Sequence, residues 1–171
     1  MVLWIIGMTG AGKSTLANIV YADLKNTHPE SVLLDGDSLR SAMGNDLGYS
    51  IADRHIQAVR LSRLSLMLAE QKIHVIAPCI SIFKDIQEWN RAHIPGYFEV
   101  YLKVSFQVLK EQRDIKGLYQ KALQGLESHV VGVDIDFPEP VSPDMVIDND
   151  TPLQDLNPLA DLILKRIKPF H

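Results

Sequence analysis

Cysteine is nearly absent: the 171 residues include one, Cys79. A single thiol cannot close an internal disulfide, so stability must come from a packed core, and a reducing, cytoplasmic compartment fits. An excess of positive charge is missing as well. The formal net charge of −4 speaks against a nucleic-acid-binding surface. Long apolar runs are also lacking. Val2–Ile6 spans five residues without a basic flank, too short for a signal peptide or a membrane span. No repeat, low-complexity tract or long linker divides the chain, so one domain over 1–171 is expected. The six histidines, at 28, 55, 74, 93, 129 and 171, show no metal-ligand spacing. With 46% hydrophobic and 22% charged residues, the composition is that of an ordinary globular domain.

What is present is an alternation of short apolar runs with helical patterns. Strands are expected at Val2–Ile6, Ser31–Asp35, Ile73–Ala77, Phe98–Val104 and Asp144–Ile147. Helices are expected at Ser14–Leu24, Ala52–Gln71 and Phe83–His93, from a Ser105 cap to about Arg113, and at Leu153–Ile167. This order implies right-handed crossovers and an α/β fold, a parallel sheet with helices on both faces. Ligands of such sheets sit beyond the carboxyl ends of the strands. The segment 114–143 differs. It has three glycines, three prolines and a short helical pattern, "KGLYQKAL", and reads as a mobile lid over the site. "NTHPES" at 26–31 reads as a turn.

The first strand runs straight into "GMTGAGKS", residues 7–14, which matches G-x-x-x-x-G-K-[ST] between a strand and a helix. Glycines let backbone N–H groups converge on an anion without obstruction by Cβ atoms. The helix that follows adds unpaired donors and the positive end of its dipole. The motif predicts a P-loop NTPase-type fold binding ATP through Gly7, Met8, Thr9, Gly10, Ala11, Gly12, Lys13, Ser14 and Thr15. Lys13 bridges the β and γ phosphates, and the Ser14 hydroxyl binds Mg²⁺. A switch GTPase needs N-K-x-D to read guanine, and that tetrapeptide does not occur. A small domain of this kind suits phosphoryl transfer to a small acceptor.

"LLDGDSLR", at 33–40, supplies the acceptor side. Asp35 and Asp37 flank a glycine at a strand end, so one can serve the metal and the other can take the proton of an attacking hydroxyl. Spacing does not say which. The plain structural role is a helix N-cap, expected of Asp37 for a helix over Ser38–Met43. Arg40 and Arg54 offer a fork for an anionic acceptor, against the common role of arginine in a solvated ion pair. His55 borders Arg54, but a surface role is the commoner case. Cys79, with no basic neighbour in sequence, reads as small packing rather than a nucleophile. Trp4 reads as core, and Trp89 as core or as a contact between copies.

At this point the chain resembles the adenylylsulfate kinases, which phosphorylate the 3′-hydroxyl of adenosine 5′-phosphosulfate. The likeness covers the first strand to about Asp150. It rests on "GMTGAGKST", "DGDSLR", "LGYS-x-x-DR", "IS-x-F" at 80–83, "RDIKGLYQKA" at 113–122 and "GVDIDFPEP" at 132–140. It implies a homodimer with a small-molecule nucleotide acceptor, ATP and Mg²⁺ as donor and metal, and a role in sulfate assimilation. Carried over by position, Asp35 and Asp37 resemble the family's catalytic and metal-linked acids, with Asp35 beside Ser14 at the metal. Arg40 and Arg54 resemble the acceptor-anion arginines, and Tyr49 the acceptor-side aromatic. Ile80, Gln57 and Val130 fall at acceptor positions. Ser81 matches a position described as a phosphoserine intermediate. In-line transfer to a bound hydroxyl needs positioning and charge neutralisation, so Ser81 reads instead as a hydrogen-bond partner of the acceptor. Lys116 matches the lid lysine and Arg113 a lid-base arginine near the ATP base.

Four departures cluster near the acceptor: Gln57 for asparagine, Ile82 for proline, Phe83 for tyrosine and Val130 for an aromatic. Loss of that aromatic removes a stacking partner worth about 1 kcal/mol. "GNDLG" and "VVGVDI" are similar to a subgroup that acts on cytidine diphosphoramidate, also at the ribose 3′-hydroxyl, in surface-polysaccharide modification. Both acceptors stay open, with adenosine phosphosulfate first because its sequence blocks dominate. A non-catalytic nucleotide-binding module is the alternative of another class, but it has little use for acceptor-side carboxylates.

Overall fold

The computed structural model of the protein describes residues 1–114, 116–150 and 155–167. The elements run β1 (Val2–Ile6), α1 (Lys13–Thr27), β2 (Val32–Leu33), α2 (Gly36–Ala42), α3 (Ile51–Glu70), β3 (Val75–Cys79) and α4 (Lys84–His93). They continue as β4 (Tyr97–Lys103), α5 (Phe106–Gln112), α6 (Leu118–Leu123), β5 (Met145–Asp148) and α7 (Asn157–Ile167). The five strands form one sheet in the order β2-β3-β1-β4-β5, and every pairing is parallel. This is the α/β architecture that the alternation of patterns predicts.

The central strand explains the two layers. None of the five residues of β1 exceeds 1% exposure. Leu3 and Ile5 pack with Leu16 and Val20 of α1 and Ile163 and Ile167 of α7 on one face. Val2, Trp4 and Ile6 pack with Leu39 of α2 and Leu61 of α3 on the other. A strand buried on both faces reads as an unbroken apolar run because alternate side chains each find a helix layer. Each fully buried aliphatic side chain contributes about 1.5–3 kcal/mol.

Several boundaries move by one to four residues from those expected, and two of them share a cause. The second strand shrinks from 31–35 to Val32–Leu33, and β3 extends past Ala77 to Cys79. Pro78 accounts for both. Val75 N donates to Met1 O on the β1 side. Alternation therefore turns position 78 towards β2, where proline has no N–H to give. Pairing with β2 stops at Leu33–Ile76, while β1 continues alongside to Ile6–Cys79. The closing helix starts at Asn157, after Asp155 Oδ1 accepts from Asn157 N at 3.0 Å. The expected start at 153–154 and His171 lie outside the described residues.

β1 lies between β3 and β4, so the chain leaves it first to one side and later to the other. The crevice at that reversal, beyond the carboxyl ends, is where such sheets bind ligands. Among the described residues no helix is long and apolar enough to cross a membrane.

Candidate active site

The loop after β1 has the backbone its glycines allow. Gly10 and Gly12 have φ of +82° and +98°, a region that residues with side chains rarely enter. A Cβ at Gly7 would lie 2.8 Å from the Leu102 carbonyl oxygen. Gly12 is the N-cap of α1 and brings no capping side chain, so the first amides of the helix face outward without a side-chain acceptor. Ser14 and Thr15 stand exposed on that first turn. Lys13 folds over the loop, its Nζ donating to Met8 O at 2.8 Å. Burial pushes its amine down to about 8, against the pull of Cys79, Asp35 and Asp37. A bare cradle with an ammonium and a hydroxyl at its mouth fits a triphosphate and its metal.

Three residues distant in sequence brace the loop. Asn149 Nδ2 donates to Ala11 O at 3.1 Å, and Tyr119 OH donates to Thr9 O at 2.8 Å. Arg113, 4% exposed, donates from Nη2 to Asn149 O at 2.6 Å. None of the three carried an expected bracing role. Tyr119 lies within the "KGLYQKA" block, but nothing in its sequence position points to Thr9.

Facing the cradle is a cavity of about 550 Å³. It is lined from the loop side by Thr9, Gly10, Lys13 and Ser14, and from the acceptor side by Asp35, Asp37, Arg40, Tyr49, Arg54 and Gln57. Ile80, Ser81, Lys116 and Val130 complete the predicted set on its walls. Gly7, Ala11, Gly12, Thr15 and Arg113 do not line it, and Met8 turns to a separate hollow of about 340 Å³ beside Phe106 and Gly132.

Asp35, not Asp37, is the N-cap of the second helix. Its Oδ1 accepts from Asp37 N at 2.9 Å and Ser38 N at 3.2 Å, and α2 starts at Gly36 instead of Ser38. Asp37 is left exposed on the first turn. The arginines depart from the solvated ion pair. Arg40, 9% exposed, donates from Nη1 to Leu47 O and Gly48 O. Arg54 donates to Tyr49 O from Nε and to His129 O from Nη2, at 2.9 and 2.8 Å. Both guanidinium groups lie near the Tyr49 ring, 4.8 and 5.4 Å from its centroid. Carbonyls orient them without cancelling their charge, and among the described residues neither is ion-paired. Burial lowers the Arg54 pKa, and the neighbouring Arg40 charge adds to that. Two cations on one wall without an ion-pair partner among the described residues make an anion site.

Two polar atoms on the same wall have no nitrogen or oxygen partner. Gln57 spends its Nε2 on Gly36 O at 3.1 Å, but its Oε1 is buried and unbonded. Ser81 Oγ is likewise buried, with only the weakly polar Cys79 thiol beside it. Ser81 sits at φ +43°, a left-handed conformation for a residue with a side chain, held as Gln87 Nε2 donates to its carbonyl at 3.0 Å. Strain and orphaned polar atoms at a cavity wall are marks of a ligand site. Burial pushes the Cys79 thiol up, which suits packing. A cation does come near it, since Lys13 opposes that shift, although none adjoins it in sequence. His55 turns away to Asp85 Oδ2 at 2.9 Å and does not line the cavity. Trp89 is half-buried beneath the Arg63 guanidinium, 3.8 Å from the ring centroid.

The sheet order, the cradle after its central strand and the single cavity shared with two carboxylates are those of a P-loop kinase. The model of the adenylylsulphate kinase family matches residues 1–148, and the chain belongs to that family. It is a phosphotransferase with an alcohol group as acceptor. The chain is 36% identical over 169 residues to a probable adenylyl-sulfate kinase of Bacillus subtilis (strain 168), covering 98% of this chain and 83% of the relative. It is also 36% identical over 166 residues to the cytidine diphosphoramidate kinase of Campylobacter jejuni, covering 97% and 95%. The structure of the Mycobacterium tuberculosis APS kinase in complex with AMPPNP and APS superposes with a TM-score of 0.85 at 32% identity, covering 96% and 95%.

Proposed function

We propose that the protein transfers the γ-phosphoryl group of ATP to the ribose 3′-hydroxyl of a nucleotide carrying a 5′-anhydride, with adenosine 5′-phosphosulfate as the first acceptor. One observation carries this reading: the cradle, the Arg40–Arg54 pair, which has no ion-pair partner among the described residues, and the carboxylates of Asp35 and Asp37 line the same cavity. The chain acts as a single kinase domain. The loop 7–15 and Lys13 hold the triphosphate, and Arg113 supports the donor side. Ser14 and Asp35 would hold a magnesium ion, which supplies charge neutralisation on the transferring group. Asp37, free of backbone donors, accepts the proton of the attacking hydroxyl. Arg40 and Arg54 grip the 5′ anion, and Tyr49, Gln57, Ile80 and Val130 bound the acceptor. The orphaned Ser81 Oγ bonds the acceptor rather than carrying phosphate. Residues 114–143 act as the lid and bring Lys116 to the transferring group.

One observation favours cytidine diphosphoramidate as a second reading. Val130, 4% exposed, stands where the family places a stacking aromatic. A smaller pyrimidine needs less cover. Steady-state kinetics with both acceptors decide: a tenfold preference in kcat/KM, about 1.4 kcal/mol in transition-state binding, assigns the acceptor. ADP release that does not depend on any acceptor would remove the kinase reading. The homodimer implied by the family resemblance is also proposed. It is supported by exposed Ile56 and Met67, at 45% and 48%, on α3.

A further inference from the structure

The histidines show no metal spacing along the chain, yet the fold closes two of them and a carboxylate on one spot. His28 is the C-cap of α1, Glu30 lies in the turn that follows, and His74 immediately precedes β3. The turn is drawn to β3 where Val32 N donates to His74 O at 2.8 Å. The two imidazole rings lie 4.7 Å apart between centroids, tilted by 34°. Glu30 Oε1 is 3.8 Å from His74 Nε2, and one ligand atom from each of the three residues lies within 4.8 Å of the others.

We propose that His28, Glu30 and His74 bind one divalent transition cation of the zinc class. Two neutral imidazoles and one carboxylate are a donor set that zinc accepts at about 2.0–2.2 Å per ligand. Donors around such an ion stand about 3.3 Å apart, so the observed spacing closes by small rotations. The means are present: the Glu30 side chain is 48% exposed and free to swing, while that of His74 is 12% exposed and gives a fixed point. Magnesium and calcium prefer all-oxygen shells, so the site discriminates against the ion the kinase reaction itself uses. Three protein ligands leave a fourth position for water.

The location sets the role. β3 starts at Val75 and ends at Cys79, which lines the active-site cavity. The cluster therefore sits at the opposite, amino-terminal end of the strands, about 16 Å away along the extended strand. An ion there takes no part in phosphoryl transfer. It ties the end of α1 and the turn into β2 to the start of β3. Because it binds only the folded arrangement, it stabilises the fold by mass action.

The test uses the untagged full chain, freed of metal with EDTA and titrated with zinc chloride alone by calorimetry. One ion per chain is expected, with a rise in Tm that EDTA reverses. Cobalt(II) should give the visible absorption of a low-coordinate nitrogen–oxygen site. His28→Gln and Glu30→Gln, both at partly exposed positions, should each weaken zinc at least tenfold and abolish the Tm shift. Their kinase activity with Mg·ATP should be unchanged. Absence of stoichiometric zinc binding overturns the proposal. So does undiminished binding in both variants, or an equal loss in His55→Gln, which would place the ion at another histidine.

Discussion

Asp35 and Asp37 differ in what their carboxylates already do. Asp35 is fixed by two backbone N–H groups at the start of α2, while Asp37 keeps its oxygens for a ligand. Asp37→Asn should lower kcat by roughly 10²–10⁴-fold, the range of a lost general base, while calorimetry finds ATP binding unchanged. Wild-type kcat in that variant would take Asp37 out of the mechanism. Lys13 gives a pH signature. Its amine, pushed down to about 8 by burial, is charged below that pH and neutral above it. A triphosphate binds the charged form, so affinity for a nonhydrolysable ATP analogue should hold below pH 8. Above it, affinity should fall by at most about tenfold per pH unit. Lys13→Met should bind weakly with no such inflection, and a pH-independent affinity in the wild type would contradict this. These side chains were legible because each motif is contiguous: eight residues hold the cradle and another eight hold both aspartates and Arg40. Asn149 and Tyr119 were not, because their partners Ala11 and Thr9 lie 138 and 110 residues away. Which aspartate caps α2 is not legible, because Asp35 and Asp37 both precede the helical stretch and either satisfies the same local rule.

Among the elements, the segment proposed as a lid has the most ties to the site. Its short helix α6 is tied to the phosphate loop through Tyr119, 1% exposed, and its later turn is tied to the acceptor wall through His129 O and Arg54. Asp134 closes that turn by accepting from His129 N and Val130 N, each at 2.6 Å. This segment therefore touches the donor and acceptor sides at separate points. Tyr119→Phe removes one hydrogen bond, worth about 1 kcal/mol, and should raise the KM for ATP up to about fivefold while lowering Tm by no more than about 2–4 °C. An unaltered KM would mean that α6 does not govern the loop. The strands and helices were legible because their periods are strong and their boundaries coincide with glycine, serine and aspartate signals. The ends of β2 and β3 were not, because they depend on which neighbour a given N–H faces, and Pro78 decides that only once the sheet is assembled.

For the molecule as a whole, the parallel sheet and its two helix layers follow from burial of β1 on both faces, a pattern plain in five consecutive apolar residues. Association of copies leaves no such pattern. Ile56 and Met67 stand eleven positions apart on α3, close to three helical turns, so they share one outward stripe. Sedimentation velocity should find twice the 19.2 kDa chain mass, and Met67→Glu should shift it to the monomer. A monomeric wild type would refute the dimer. The sheet also ends unequally. One margin is a strand of only two residues, and the other, β5, shows Val146 at 55% exposure with Asp144 and Asp148 two residues to either side. A two-residue margin offers too little backbone to template a foreign strand, and at the other margin Asp148 sets a carboxylate beside the exposed valine, while Asp144 is held by Arg91. The fold thus guards both rims of its sheet against fibril-like stacking, by brevity at one and by charged side chains at the other.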